Sequence, residues 1–270
     1  MTHTITVEPS GRSFQAEAGE PMLTAGIRQG IGLPYGCKDG ACGSCKCKMR
    51  VRLQLPANDI IQYHAGQYVE FILRDGSRRS YSMANAPHTL IESGSPMVDL
   101  HIRHMPGGKF TDHVFGAMKE KEILRIEGPY GSFHLRDESP KPIVLLASGT
   151  GFAPIKAIIE HMQFMGITRE AVLYWGGRRP QDLYLDAWVR AKTQEMPHLR
   201  YVPVVSDALP EDGWGGRTGF VHRAVLEDTP DLSAHQVYAC GAPIVVDSAR
   251  RDYLAAGLPE HEFFADAFTT

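Results

Sequence analysis

Three zones differ in how apolar and polar residues follow one another along the chain. In residues 1–48, the alternating run Thr4–Val7 predicts a strand, and the apolar spacing over Pro21–Gln29 predicts a short helix ahead of a loop rich in glycine and cysteine. From residue 49 to about residue 137, short alternating runs are separated by turn signals such as Asp75-Gly76, which predicts a small antiparallel barrel or sandwich. The predicted strands of this second zone are Val51–Leu55, Tyr68–Leu73, Val98–Ile102 and Ile123–Ile126.

The third zone, from about residue 138, has the rhythm of strand, glycine turn and helix. The apolar run Ile143–Leu146 leads through Gly149-Thr150-Gly151 into a helix predicted over Pro154–Met165. Two further strands are predicted at Ala171–Trp175 and Tyr201–Val205, each followed by a polar or helical stretch. This alternation is the βαβ pattern of a parallel sheet. We therefore predict a multi-domain chain, divided into residues 1–48, 49–137 and 138–270.

Composition and charge exclude several classes of protein. Of the 270 residues, 43% are hydrophobic and 22% are charged, as in ordinary globular proteins. The 28 Lys and Arg residues against 31 Asp and Glu residues leave no basic field for nucleic acid or an anionic membrane surface. The apolar stretch Ile143–Ile159 is interrupted by glycines, Pro154 and Lys156, so no transmembrane helix is expected. The first residues do not have the pattern of a secretory signal peptide, so we expect a cytoplasmic protein. In that compartment, clustered cysteines more often bind metal or take part in redox chemistry than form disulfides.

Three short motifs are candidates for binding a nucleotide. Gly149-Thr150-Gly151 lies between a buried strand and a helix, where glycines let backbone amides approach a pyrophosphate, although a plain strand-to-helix turn also fits. Arg79-Ser80-Tyr81-Ser82 offers a cation for phosphate, a ring for stacking and a hydroxyl donor, and it also fits an exposed strand with one tyrosine. His101-Ile102-Arg103 precedes Pro106–Thr111, a glycine turn that opens a helix and could cradle an anion.

Together these motifs resemble those of the ferredoxin–NADP reductase-like superfamily. Five motifs occur in the order of that superfamily over residues 51–270: Arg79-Ser80-Tyr81-Ser82, Gly107-Gly108 with Thr111, Gly128-Pro129-Tyr130-Gly131, Gly149-Thr150-Gly151 with Pro154, and Cys240-Gly241-Ala242-Pro243. The resemblance implies an antiparallel β-barrel that binds FAD, followed by an α/β parallel-sheet domain that binds NAD(P)H.

The resemblance also implies roles for individual residues. Tyr81 is expected to stack on the isoalloxazine ring, with Ser82 near its hydride-accepting nitrogen and Cys240 beside the nicotinamide. Ser82, Cys240 and Asp266, the last within a C-terminal run that faces the flavin, are the expected catalytic residues. The residues expected to bind FAD or NADH are Arg79, Tyr81, Ser82, His101, Ile102, Arg103, Gly107, Gly108, Lys109, Phe110, Thr111, Gly149, Thr150, Gly151, Pro154, Arg178, Cys240, Gly241 and Phe268.

Residues 1–48 resemble the first half of a plant-type 2Fe–2S ferredoxin. Cys37, Cys42 and Cys45 have the C-x4-C-x2-C spacing of such clusters. The resemblance implies a partial β-grasp segment whose metal ligands are these three cysteines. The whole chain resembles the reductases that serve benzoate dioxygenase and phenol hydroxylase, and the cysteine-rich run most resembles the CDP-6-deoxy-glucoseen reductases.

The chain departs from the ferredoxin pattern after the third cysteine. A fourth ligand cysteine is expected a few tens of residues further on, but apart from Cys47 the next cysteine is Cys240. Lys48–Arg50 runs directly into Val51–Pro56, the expected second strand of the barrel, as if one continuous segment were missing. We therefore expect an unstable first zone, weakened FAD binding and an incomplete cluster site. Ligation by Cys47, by a residue other than cysteine or across a dimer stays open.

These observations predict an NADH-dependent flavoprotein that transfers electrons. The resemblance to this class of reductases favours NADH over NADPH as the electron donor. Against it, two arginines follow the second strand of the nucleotide domain, Arg178 and Arg179, and they could bind the 2′-phosphate of NADPH. Three hypotheses remain. The chain is an iron–sulfur flavoprotein reductase serving an oxygenase or deoxysugar dehydratase partner, a cluster-free NADH:flavin diaphorase that reduces small acceptors, or a truncated product that at best binds nucleotide.

Overall fold

Two compact units make up the chain. The first comprises Met1–Val51, Glu70–Arg79 and Ile102–Glu127, and the second comprises Arg52–Val69, Ser80–His101 and Gly128–Thr270. The structure, a computed structural model, describes residues 2–7, 11–20, 22–31, 48–56, 61–92 and 96–268. Within these residues, no helix is both long enough and apolar enough to cross a membrane.

The N-terminal part of the first unit is a hairpin covered by one helix. Strands β1 (Thr2–Val7) and β2 (Arg12–Glu17) pair antiparallel, and helix α1 (Met22–Arg28) follows them. Alternate residues of β2 are buried, and Phe14 packs with Ala25 of the helix in a small core of their own. The strand and the helix predicted for this zone are confirmed.

Short strands dominate the region predicted to bind FAD. The elements are β3 (Lys48–Gln54), β4 (Tyr68–Ile72), β5 (Arg78–Ser82), α2 (His88–Glu92), β6 (Met97–Arg103), α3 (Lys109–Asp112), a π-helical turn (His113–Ala117) and β7 (Ile126–Tyr130). Hydrogen bonds join the strands into a two-stranded sheet, β3–β6, and a three-stranded sheet in the order β5-β4-β7. The predicted antiparallel sheets are confirmed, and among the described residues they form two sheets rather than one closed barrel.

The strand predicted over Ile123–Ile126 is wrong in its bounds, because β7 begins where the prediction ends. Ile123 is 95% exposed, so it has no place in a half-buried strand. The Ile72 N–H donates to the Arg125 carbonyl at 2.9 Å, one residue before β7 begins. The alternation of apolar residues therefore marks the approach to the strand.

The second unit contains a six-stranded parallel sheet flanked by helices. The sheet runs in the order β11-β10-β9-β8-β12-β13, and every pairing is parallel. The predicted βαβ pattern is confirmed. The elements are β8 (Ile143–Ser148), α4 (Phe152–Met165), β9 (Ala171–Gly177), α5 (Asp186–Glu195), β10 (Leu199–Val205), β11 (Arg217–Thr218), α6 (Val221–Asp228), β12 (Gln236–Gly241), α7 (Pro243–Ala255) and β13 (Phe263–Ala267).

Both faces of this sheet are buried, which explains why its central strands read as continuous apolar runs. Successive residues of β8 point to opposite faces. Leu145 belongs to one core, with Ile155 of α4 and Trp175 of β9, whereas Val144 belongs to the other, with Tyr253 of α7.

The carboxyl ends of the strands share one edge of the sheet because all of its strands are parallel. The chain changes direction across the sheet at β8, with β9 and β10 on one side and β12 and β13 on the other. In open α/β sheets, ligands bind outside the carboxyl ends of the strands at such a switch point. A nucleotide site is therefore expected after β8.

Candidate active site

The three predicted catalytic side chains lie together beside this edge. Ser82, buried at the end of β5, donates a hydrogen bond from Oγ to Asp266 Oδ2 at 2.9 Å. Cys240 Sγ lies 3.9 Å from the same carboxylate oxygen. Cys240 on β12 and Asp266 on β13 are register partners in adjacent parallel strands. The fold thus assembles in the second unit a cluster whose members are remote in sequence.

Burial sets the protonation of this cluster. Burial raises the pKa of the Asp266 carboxyl, and the hydrogen bonds from Ser82 and Cys240 oppose that rise. Burial, together with the neighbouring Asp266 charge, raises the pKa of the Cys240 thiol well above its ordinary value. The thiol is therefore protonated at neutral pH and acts as a weak donor rather than as a nucleophile. Asp266 is the group of this cluster that can gain or lose a proton.

The glycine turn after β8 touches the cysteine turn after β12. Gly149–Gly151 forms a single 3-10 turn that leads directly into α4, as predicted for a nucleotide loop. A Cβ atom on Gly151 would lie 2.2 Å from the Cys240 carbonyl oxygen. A Cβ atom on Gly241, which has φ +132°, would lie 2.2 Å from Ser148 Oγ. Glycine is therefore required at both positions, and the two backbones meet directly.

Three other predicted nucleotide-binding residues surround these turns. Thr150 is half-buried within the 3-10 turn, and Pro154 is buried in the first turn of α4. The Phe268 N–H donates to the Gly241 carbonyl at 2.9 Å. The C-terminal run therefore contacts the cysteine turn.

His101 is held by a tyrosine that the sequence analysis missed. His101 Nδ1 shares a 2.8 Å hydrogen bond with the Tyr184 hydroxyl, and the two rings meet edge to face. Burial raises the pKa of Tyr184 well above its ordinary value, with a further contribution from nearby Cys240. The histidine is only 7% exposed, so it belongs to the surroundings of the cluster. The only sequence signal for Tyr184 is an aromatic residue between two leucines.

The predicted pyrophosphate-binding turn of the first unit is built around two glycines. Gly107 has φ +82°, and a Cβ atom on Gly108 would lie 2.6 Å from Thr111 Oγ1 and 2.9 Å from the Met105 carbonyl oxygen. The Thr111 hydroxyl donates to the same carbonyl at 2.8 Å. Glycine is therefore favoured at both positions, and the Gly107 and Gly108 amides donate to Asp112 Oδ2 at 3.0 Å and to the Met105 carbonyl oxygen at 2.9 Å.

Several predicted side chains near this turn are already engaged. Ile102 is fully buried, and Phe110 packs against Phe71 with ring centroids 4.4 Å apart. Lys109 Nζ pairs with Asp75 Oδ2 at 2.6 Å. Any contact of Ile102 or Phe110 with a cofactor is therefore a backbone contact.

Strand β5 carries the arginine and the tyrosine of the predicted flavin motif. Arg79 and Tyr81 alternate with serines along the strand, so they point to the same side of it. The exposed Arg79 guanidinium donates to the Arg78 carbonyl at 2.7 Å. Arg103, after β6, donates to Met105 Sδ at 3.4 Å. A cation and a ring on one side of a strand suit the phosphate and the ring system of a flavin nucleotide.

Carboxylates from the loop after β10 pair with both arginines that follow β9. Arg178 Nη2 lies 2.8 Å from Asp207 Oδ2. Arg179 donates through Nε and Nη2 to the two oxygens of Asp212, at 2.7 Å and 2.8 Å. Hydrogen bonds from Arg179 lower the pKa of Asp212. The sequence pattern pointed to the arginines but to neither carboxylate, and these stand 29 and 33 residues later.

The predicted metal ligands Cys37, Cys42 and Cys45 lie outside the described residues, as does Cys47. Of the cysteines, the described part of the chain includes Cys240, which is buried and forms no disulfide. We therefore assign no geometry to an iron–sulfur site.

Comparison with known proteins supplies the family. Residues 145–251 match the oxidoreductase NAD-binding domain, residues 44–135 match the oxidoreductase FAD-binding domain, and residues 5–63 match the 2Fe-2S iron-sulfur cluster binding domain. The chain is 35% identical to a CDP-6-deoxy-L-threo-D-glycero-4-hexulose-3-dehydrase reductase from Yersinia pestis over 335 positions, which cover 99% of each sequence. The chain belongs to the ferredoxin reductase-like family of FAD- and NAD-binding oxidoreductases.

Other members extend this relationship. The reductase is 30% identical to reductase component 2 of terephthalate 1,2-dioxygenase from Comamonas over 339 positions, covering 100% of this chain and 98% of the relative. It superposes on the crystal structure of a cytochrome P450 reductase from Amycolatopsis with a TM-score of 0.70, at 26% identity and over 99% of each chain. The predicted family, fold class, oxidoreductase activity and FAD and NAD cofactors are confirmed.

The matches also show a shortened junction between the first two regions. Residues 44–63 match both the iron–sulfur and the FAD-binding families. The alignment with the Yersinia reductase spans 335 positions against 270 residues here, so at least 65 positions (335 − 270) are gaps in this reductase. Both observations agree with the missing segment expected from the sequence.

Proposed function

We propose that this chain is an NADH-dependent electron-transfer reductase whose bound FAD supplies the chemistry, by accepting a hydride and releasing electrons singly. The observation that carries the proposal is the contact of the Gly149–Gly151 turn with Cys240, next to the hydrogen bond between Ser82 and Asp266. This contact places the predicted nucleotide loop next to the residues expected at the flavin. Hydride transfer requires the nicotinamide and the flavin to lie that close to each other.

The residues of the second unit take the following roles. The amides of Gly149–Gly151, at the start of the long helix α4, bind the pyrophosphate of NADH. Cys240, as a protonated thiol, would lie beside the nicotinamide when NADH binds. Ser82 orients the Asp266 carboxyl through their hydrogen bond. Together, the two side chains hold a proton near the reacting atoms. Tyr81 would cover one side of the flavin ring and exclude water from it when FAD binds.

The remaining predicted residues bind the cofactors. We assign Arg79 and the amides around Gly108–Thr111 to the pyrophosphate of FAD, because these motifs resemble those of the reductase family. His101–Arg103 contributes to the same cofactor. Arg178, Gly241 and Phe268 are assigned to the nicotinamide nucleotide.

NADH rather than NADPH is the proposed donor. A 2′-phosphate is bound by an arginine at the end of the second strand of such a sheet. Here Arg178 and Arg179 are neutralised by Asp207 and Asp212, whose own negative charges repel a phosphate. The arrangement therefore supports a nucleotide without the 2′-phosphate.

The proposed electron acceptor is a protein partner. The relatives named above are reductases of a hexulose dehydrase and of a terephthalate dioxygenase. A dehydratase or oxygenase component is therefore the class of partner that we propose. We assign no step to an iron–sulfur cluster, since the sequence has no fourth cysteine in the expected place. That absence favours a second candidate, a cluster-free diaphorase that reduces small acceptors directly.

The domain boundaries and the location complete the proposal. Residues 1–48 are the partial ferredoxin-type domain, residues 49–137 the FAD-binding domain and residues 138–270 the NAD-binding domain. The change of pattern supports both boundaries, and the family matches support the order of the three domains. A cytoplasmic location is supported by the clustering of four cysteines within Cys37–Cys47, which is typical of redox or metal sites.

The purified protein tests the proposal in three measurements. In the first, the protein is incubated with FAD, unbound FAD is removed and the bound FAD is measured. In the second, dye reduction is followed after NADH or NADPH is added with an artificial dye. The third determines the iron and acid-labile sulfide of the protein. We expect bound FAD and dye reduction that is faster with NADH. About two irons per chain would support the iron–sulfur reductase, and dye reduction without iron would support the diaphorase. Failure to bind FAD, or no dye reduction with FAD bound, would overturn the proposal.

A further inference from the structure

Helix α4 buries an ion pair on its apolar side. Lys156 and Glu160, four residues apart, form a salt bridge in which their side chains are only 10% and 16% exposed. The residues around Lys156 in Phe152–Ile159 are apolar and buried. A buried ion pair seldom stabilises more than well-packed apolar residues of the same volume would. The pair therefore needs an explanation other than stability.

Both members of the pair bind the backbone just after Ser82. Lys156 Nζ donates to the Ala84 carbonyl at 2.9 Å, and Glu160 Oε2 accepts from the Ala86 N–H at 3.0 Å. Charged groups make short and directional hydrogen bonds, and losing them would leave buried backbone groups without partners. One helix thus grips a carbonyl and an amide of the same short segment.

Small side chains allow this close approach. Ala86, Ala157 of α4 and Ala65 form a separate buried cluster. Larger residues there would push the helix away from the segment that follows Ser82. The spacing between α4 and this segment is therefore fixed by two polar contacts and by packing without bulky side chains.

We propose that Lys156 and Glu160 are positioning residues for hydride transfer. The N-terminus of α4 carries the nucleotide loop, and the middle of α4 holds the segment that leads from Ser82. One rigid helix therefore sets the separation between the loop and the hydrogen bond of Ser82 with Asp266. The inference rests on the proposed function, because it concerns the alignment of NADH with that cluster.

Four variants test the role. Lys156→Met with Glu160→Leu removes both hydrogen bonds without leaving a lone buried charge. Glu160→Gln keeps an oxygen that accepts from the Ala86 N–H. Lys192→Met is the matched control, because Lys192 also pairs with a glutamate and lies 5.7 Å over the Trp188 ring, as Lys156 does at 5.2 Å. Lys156→Met alone is expected to unfold at a lower temperature, since it leaves the buried Glu160 carboxylate without its cationic partner.

Two measurements separate positioning from stability. In the FAD-free protein, amide hydrogen exchange of Ala84–Ala86 is expected to quicken in the double variant and to stay slow in Lys192→Met. In the FAD-loaded protein, the maximal rate of flavin bleaching at saturating NADH is expected to fall about tenfold in the double variant, with the Kd for NADH unchanged. Glu160→Gln, which keeps the acceptor for the Ala86 N–H, is expected to retain most of the wild-type rate.

The inference is overturned if the double variant keeps slow exchange at Ala84–Ala86. It is equally overturned if exchange quickens and the rate at saturating NADH stays at the wild-type value. A wild-type protein that binds FAD but is not bleached by NADH contradicts the proposed function and, with it, a positioning role. In that case, the exchange measurement still reports whether the pair holds the segment.

Discussion

Ser82 donates a 2.9 Å hydrogen bond to Asp266 across 184 residues of sequence. The bond joins the end of a strand predicted to carry the flavin motif to the last strand of the parallel sheet. It also opposes the rise in the pKa of Asp266 that burial causes. The protonation of this carboxyl and the position of the serine are therefore coupled.

Replacing Ser82 with Ala is expected to lower kcat/KM for NADH about tenfold, because a buried carboxylate that loses a donor is destabilised by about 1–3 kcal/mol. The pKa of Asp266 should rise further, which shifts to higher pH the limb of the pH–rate profile that reports this carboxyl. The measurement is NADH-driven dye reduction from about pH 5 to pH 9. Ser82→Thr, which keeps the hydroxyl, should retain the wild-type profile, and an unshifted limb in Ser82→Ala would contradict the coupling.

Replacing Asp266 with Asn is expected to stabilise the protein at neutral pH more than at acidic pH. The folded pKa of Asp266 is raised, whereas the unfolded chain has the ordinary value of about 4. Above the folded pKa, the buried charge destabilises the native state. As the pH falls through that pKa, the folded state binds a proton and the penalty disappears.

Urea unfolding of both proteins between about pH 5 and pH 8 measures the effect of Asp266→Asn. The difference in the free energy of unfolding should shrink on acidification. A difference that is constant with pH, or that grows as the pH falls, would show that burial does not raise this pKa.

Replacing Asp212 with Asn is expected to improve the use of NADPH. The change frees the Arg179 guanidinium and removes a negative charge that would face a 2′-phosphate. We expect kcat/KM for NADPH to rise about tenfold, or about 1.4 kcal/mol, with little change for NADH. Glu211→Gln is the control, since Glu211 lies 4.0 Å from the same guanidinium and is largely exposed. An equal response of both nucleotides would count against a role in selectivity.

Replacing Gly151 with Ala is expected to destabilise the second unit by about 1–3 kcal/mol, because the added Cβ meets the Cys240 carbonyl oxygen. NADH binding should weaken with it, since the nucleotide loop has to move. Gly215→Ala, where nothing lies within 4 Å of the new atom, should leave stability nearly unchanged. Equal stabilities for the two variants, measured by thermal unfolding, would refute the close contact of the turns.

The parallel sheet was predictable because its strands and turns have patterns that lie within short stretches of sequence. Continuous apolar runs such as Ile143–Leu146 follow from burial on both faces of a sheet, and Gly149–Gly151 marks the turn that follows. The start of β7 was not predictable, because Ile123 has the alternation of a strand residue but lies in solvent. Local patterns thus give the existence of elements better than their bounds.

The candidate site was less predictable because its contacts join remote segments. No local pattern links Ser82 to Asp266, and resemblance to a family suggested both. Lys156 could be noticed in the sequence as a lone lysine within an apolar helix. Its bond to the Ala84 carbonyl could not be predicted, because no sequence pattern marks a backbone acceptor. The partners of Arg178 and Arg179 were missed for the same reason.

Anaerobic mixing of the FAD-loaded protein with NADH deuterated at C4 tests the central claim, direct hydride transfer in this site. The absorbance of the flavin should bleach within about a second, and deuterium at one of the two C4 positions should slow the bleaching. A protein that holds FAD but keeps its yellow colour with NADH in excess would contradict the account.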